Sequence, residues 1–145
     1  MRFEKTIHID APVDVVRDVV MDVGSWPRLT ESVSTVELLD PGPLKVGSRV
    51  RIKQPRLPRT DWTVTEVSEA GFTYEAKGPG VRTVARHEVT ASGPGTVLRL
   101  VLDQAGPVGL LIGRLGAGMT RRYLELEANG MKSGAEQAAA GGTGS

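Results

Sequence analysis

The sequence predicts an α+β fold: a curved antiparallel sheet of about seven strands, a helix-loop-helix unit after the first strand, and a long C-terminal helix over the sheet. Three features carry this expectation. Segments of alternating polar and apolar residues recur along most of the chain, a valine-rich stretch with helical spacing follows the first of them, and an apolar stripe of helical period begins at Val108.

Arg2 to Asp10 opens the sheet, with Phe3, Ile7 and Ile9 on one parity and Arg2, Glu4, Thr6 and His8 on the other. Asp10 is suited to cap the next helix, and Pro12 fits its first turn, where a missing N–H is harmless. Val15, Val16, Val19, Val20 and Val23 then recur at helical spacing. Their branched side chains lower helix propensity, so this helix depends on packing. Gly24 and Ser25 end it, and Trp26-Pro27 starts a second short turn or helix to about Ser32.

Extended segments follow: Val33 to Leu39, Ser48 to Gln54, Thr60 to Val67, Phe72 to Lys77, Val81 to Thr90 and Thr96 to Gln104, separated by Gly- and Pro-containing breaks. In the fourth strand, parity would turn Glu66 inward with Trp62 and Val64, so a bulge or an end position is expected there. After Gly106-Pro107, the residues Val108, Leu111, Ile112, Leu115, Met119, Tyr123 and Leu126 form a stripe expected to face the sheet. Gly109, Gly113, Gly116 and Gly118 weaken this helix; they make room beside it, let it bend, or leave it partly broken. Residues 133–145, rich in Gly and Ala, read as a disordered tail beyond a single domain at 1–132.

Composition narrows the function classes. The chain has 145 residues, enough for one core with space for a small ligand, and 4% aromatic residues, thin for stacking nucleic-acid bases. Eighteen basic and seventeen acidic side chains give a formal charge of +1, so no global field attracts a polyanion. Arg49, Arg51, Lys53, Arg82, Arg86 and Arg99 share an outer face with acidic neighbours and read as a solvated convex surface. No cysteine is present, and two histidines make no metal-ligand cluster. Gly113 to Gly118 reads G-x-x-G-x-G inside a helix, without the strand-to-helix order of a dinucleotide fingerprint. The expectations are no cofactor, no metal, no nucleic-acid partner, no stable membrane insertion, a cytoplasmic location, and a monomer or homodimer.

Several residues in this order resemble the START-like superfamily, specifically its polyketide cyclase/dehydrase and lipid-transport branch. They are Ile9-Asp10-Ala11-Pro12 with Val15-Val16, Asp22 through Trp26-Pro27, Val46-Gly47, Trp62-Thr63-Val64 with Glu66-Val67, Gly95-Thr96, and the helix end from Arg122 to Lys132. The resemblance covers residues 1 to about 132. It implies a helix-grip fold with an apolar tunnel between sheet and helix. Members of that superfamily range from lipid carriers to aromatase/cyclases, so the resemblance fixes the fold and leaves the chemistry open.

His87 is the sharpest candidate. It shares a strand face with Thr83, Ala85 and Val89, and either reaches a ligand as donor or general acid/base, or is a buried neutral histidine bonded to a Tyr or Gln. Tyr74 and Gln54 would present polar atoms to an otherwise apolar cavity lined by Val50, Ile52, Trp62, Leu98, Leu100, Leu111, Leu115 and Met119. Trp26 and Leu29 either border the mouth or pack the helix-loop-helix unit on the sheet. Two functions remain open: binding of a small, mostly apolar ligand such as a lipid, polyketide or aromatic metabolite, or a polyketide cyclase/dehydratase in which His87, assisted by Tyr74, moves a proton. A third reading fills the cavity with the protein's own side chains.

Overall fold

The structure, a computed structural model, describes the backbone of residues 1–143 and the side chains through residue 141. Seven strands form one antiparallel sheet: β1 (Arg2–Ile9), β2 (Thr35–Leu38), β3 (Arg49–Lys53), β4 (Thr60–Ser68), β5 (Gly71–Gly78), β6 (Val81–Ser92) and β7 (Gly95–Ala105). Their order is β1-β7-β6-β5-β4-β3-β2. The first two strands therefore occupy opposite edges, and the segment between them must cross the whole sheet. That crossing is made by α1 (Val13–Met21), a 3-10 turn at Val23–Ser25 and α2 (Trp26–Leu29).

Helix α1 begins without the expected cap. Its N-cap is Pro12, with no side-chain bond to the first turn, while the backbone N–H of Asp10 donates to Glu136 Oε2 at 2.8 Å. What holds α1 is burial: Val16 and Val20, one turn apart, are fully enclosed, and each such valine contributes about 1.5–3 kcal/mol. In β4 the register against β5 shifts between Val64 and Glu66, leaving Glu66 exposed. This bulge keeps a carboxylate out of the core.

The predicted C-terminal helix is two helices, α3 (Pro107–Leu115) and α4 (Ala117–Thr143), separated at Gly116. Helix α3 seats its glycines on the sheet edge. A Cβ at Gly113 would lie 2.8 Å from Met1 Sδ, and one at Gly109 would lie 3.2 Å from Val81 Cγ2. The N–H groups of Val108 and Gly109 donate to Gly80 O at 3.0 and 3.3 Å, fixing the start of the helix on the β5–β6 turn. Only glycine permits this approach. The large side chains are consequently turned outward, and Leu111 and Leu115, expected to face the sheet, are 59% and 81% exposed.

Helix α4 packs through Leu124, Ala128, Met131 and Ala135, all buried at helical spacing. The expected tail is thus corrected over most of its length: residues 133–143 continue α4, because Ala135 and Gly134 let the helix lie close on α1 and α2 while Lys132 and Glu136 bond to the end of β1. Residues 144 and 145 of that tail lie outside the described residues.

Candidate ligand-binding site

Between the inner sheet face, α2 and the first half of α4 lies a cavity of about 190 Å³. Strand register assembles its aromatic wall. Phe72 pairs with His87, Tyr74 with Ala85, and His87 with Leu100, placing the side chains of β5, β6 and β7 side by side. The His87 ring stacks on Phe72 at 4.4 Å between centroids, and Tyr74 meets its edge at 5.2 Å. Trp62 stacks on Tyr74 at 4.4 Å, and Trp26, delivered by α2, lies 5.2 Å from His87. Three of the six Phe, Trp and Tyr residues (two of each) thus surround one histidine, with Trp62 behind Tyr74.

The polar atoms of this wall are few. His87 Nε2 faces Glu127 Oε1 of α4 at 3.3 Å, and both residues are buried. An ionised Glu127 selects the tautomer with hydrogen on Nε2, which leaves Nδ1 a bare acceptor. Among the described residues, His87 Nδ1 and Trp26 Nε1 are buried with no hydrogen-bond partner, and the Tyr74 hydroxyl makes no hydrogen bond. Burial, and secondarily the negative charge of Glu127, push the Tyr74 phenol well above its ordinary range, so it is a neutral O–H donor. At the mouth, Tyr123 donates its hydroxyl to Pro55 O, tying α4 to the β3–β4 loop.

Of the residues proposed from sequence, Ile52, Gln54, Trp62, Tyr74, His87, Leu100 and Met119 line the cavity. Val50 and Leu98 are fully buried in the adjoining core and do not line it. Leu111 and Leu115 are excluded from it by the outward turn of α3. Glu127 and Tyr123 line it and Glu127 was not anticipated. The stripe counted from Val108 runs across the break at Gly116; its α4 members Met119 and Tyr123 do line the cavity, but it continues to Leu126, whereas steps of four from Met119 give Tyr123, Glu127 and Met131. Trp26, 1% exposed, packs α2 on the sheet against Phe72 and lines the inner wall of the cavity, not its mouth.

The outer sheet face is neutralised locally. Arg2, Arg49, Arg51, Arg82, Arg86 and Arg99 each pair with a carboxylate, among them Asp103, Asp40, Asp61, Glu75 and Glu88. Among the described residues no group of three or more His, Asp and Glu could hold a metal ion, and no helix is long and apolar enough to cross a membrane.

Comparison with known proteins agrees with this architecture. The family model described as "Polyketide cyclase / dehydrase and lipid transport" matches residues 1–136. The chain belongs to that family. No match was found among curated proteins. A START superfamily protein from Mycobacterium smegmatis superposes with a TM-score of 0.72 at 19% identity, covering 91% of this chain and 97% of that one. A hypothetical protein from Helicobacter pylori superposes at 0.75 with 10% identity, covering 91% and 84%. The di-domain aromatase/cyclase BexL of the BE-7585A biosynthetic pathway superposes at 0.66 with 23% identity, over 94% of this chain and 46% of its own length. At these identities the likeness shows the fold: this polyketide cyclase/dehydrase and lipid transport family member has the helix-grip architecture, with a seven-stranded sheet closed by the C-terminal helix.

Proposed function

We propose that the protein binds one small, mostly apolar molecule in this cavity and that the pocket recognises it by shape, aromatic contact and the Tyr74 hydroxyl. The observation that carries the reading is the aromatic wall around His87, enclosed yet not filled by α4. Its volume sets the ligand class. An apolar cavity of about 150 Å³ is known to take a benzene ring, so 190 Å³ suits a fused aromatic pair or a short acyl segment, with anything longer emerging past Gln54 and Tyr123. Apolar contact supplies the affinity at about 25 cal/mol per Å² buried, and the few polar atoms set orientation.

A cyclase or dehydratase reading draws on the Tyr74, His87 and Glu127 cluster. In it, a base takes a proton from a carbon between two carbonyls, the resulting enolate closes on a ketone, and the alkoxide regains a proton before water leaves. Against a direct role for His87, Nε2 is turned to Glu127 and Nδ1 is enclosed, so Tyr74 is the group best placed to reach a substrate oxygen. Binding therefore ranks first.

Both tryptophans of the chain line the cavity, so ligand entry should change their emission. Titration with a panel of bicyclic aromatics, aromatic polyketides and acyl chains is expected to give saturable quenching by at least one class, with native mass spectrometry confirming one ligand per chain. No response from any class would reject the binding reading. Turnover of a poly-keto substrate that disappears in Tyr74→Phe would place the enzyme reading first.

A further inference from the structure

Helix α3 is packed the opposite way from a helix of its composition. Its glycines are buried, while Val108, Leu110, Leu111, Ile112 and Leu115 are exposed on a nine-residue helix. Apolar patches of several hundred Å² are rare on soluble surfaces and mark interaction sites. Rotating α3 to bury the leucines would break the glycine seat on Met1, Val81 and Gly80, so the outward face is fixed by the fold.

Charge at this end of the molecule identifies what the face meets. The arginines of the sheet are paired with carboxylates, as described above. Arg114 on α3, Arg122 on α4, and Arg56 and Arg59 on the β3–β4 loop are exposed and form no ion pair among the described residues. The Tyr123–Pro55 hydrogen bond holds the last three on neighbouring segments. The exposed carboxylates nearest to them in sequence are Asp61, already paired with Arg51, and Glu125. A second copy of the chain would set these arginines against one another. An anionic lipid surface offers phosphates to the arginines and an apolar boundary to the leucines.

We propose that α3 docks the protein on anionic bilayers, lying in the headgroup plane with Leu110, Leu111 and Leu115 toward the acyl chains. At about 1.5 Å per residue the helix is too short to do more than lie there. Leu57, Met119 and Thr120, which line the cavity, belong to the same loop and helix start, so a docked molecule could exchange ligand with the bilayer. That last step rests on the binding function proposed above; the docking does not.

The test is co-sedimentation with vesicles of phosphatidylcholine alone and of phosphatidylcholine with about one-third phosphatidylglycerol, at low and high salt. The intact chain is expected to bind the anionic vesicles, weakly at high salt. Leu111→Ser/Leu115→Ser should lower that partition about tenfold or more. Arg114→Gln/Arg122→Gln should lower it severalfold while leaving it less salt-dependent. Leu111 and Leu115 are exposed, so an unchanged thermal melt verifies the fold of the double variant. Absence of binding to anionic vesicles, or equal binding by Leu111→Ser/Leu115→Ser, overturns the proposal, as does a dimer that this variant dissociates without any vesicle binding. Tryptophan titration in vesicle-free solution reads the ligand function separately: its failure with docking intact would remove only that function.

Discussion

Replacing Ala85 by Leu tests whether the space under α4 is hollow. Ala85 lies on the inner face of β6, opposite Tyr74 on β5 and Leu102 on β7, and borders the cavity. Leucine adds three carbons. Burying them in open space of 190 Å³ contributes roughly 0.8 kcal/mol each, less about 0.5–1 kcal/mol for fixing the rotamer, a net stabilisation of about 1.5 kcal/mol. Were the interior closed by its own side chains, the same carbons would overpack it and cost about 1–3 kcal/mol. The two cases differ in sign, so modest error in either figure does not blur the outcome. Urea unfolding gives the answer as a higher midpoint at unchanged slope, and the tryptophan titration should lose its response because the ligand's place is taken. A lower midpoint with ligand response intact would refute the hollow interior and the binding function with it.

Two further changes probe the walls. Tyr74 is protonated in the native state beyond its ordinary range, so its contribution is complete below about pH 10 and fades as pH rises toward the higher folded value; between those limits stability should fall by up to about 1.4 kcal/mol per pH unit, and urea midpoints of Tyr74→Phe should fall less steeply there than those of the intact chain. Equal slopes would place the phenol in contact with water. Gly130 and Gly134 seat α4 on Leu29 by different means: a Cβ at Gly130 would stand 2.3 Å from the Leu29 carbonyl oxygen, whereas one at Gly134 would meet Leu29 Cδ2 at 2.8 Å. Backbone cannot yield as a leucine tip can, so Gly130→Ala should destabilise by about 1–2 kcal/mol despite its helix propensity, while Gly134→Ala stays near neutral or gains slightly; thermal melts that rank them otherwise would contradict the close seat of α4.

The strands and the inward parity of Gln54, Tyr74 and His87 were legible in the sequence because a period of two is fixed by the pleat and needs no knowledge of the neighbours. Glu66 was legible for the same reason, since a carboxylate on an inward parity signals that the register must shift. The C-terminal helix was not. Stripe counting treats large apolar side chains as the buried ones, yet α3 buries Gly109 and Gly113 and exposes Leu111 and Leu115. The same bias toward large residues made 133–143 look empty, although Ala135 is fully buried through close helix approach. Glu127 escaped notice because its role depends on His87, forty residues earlier, and no local pattern announces such a pair.

For the proposed binding function, that pair decides which molecules should enter the cavity and in which direction. Glu127 places negative charge at the His87 end, and its field adds to the burial that raises the Tyr74 phenol. A ligand carboxylate brought there would face the same repulsion in a poorly solvated space, where two like charges are strongly unfavourable. A neutral carbonyl could accept from the Tyr74 hydroxyl, and a neutral hydroxyl could donate to Glu127, without any such cost. Acidic ligands such as fatty acids should therefore enter tail first and keep the carboxylate near Gln54 and Tyr123, whereas neutral aromatic ketones and phenols should reach the aromatic wall with their oxygens inward. In the titration, the amide or methyl ester of an aromatic acid should accordingly bind more tightly than the free acid at neutral pH, and the preference should shrink in Glu127→Gln. Tighter binding of the free acid would show that Glu127 does not govern the electrostatics of this space.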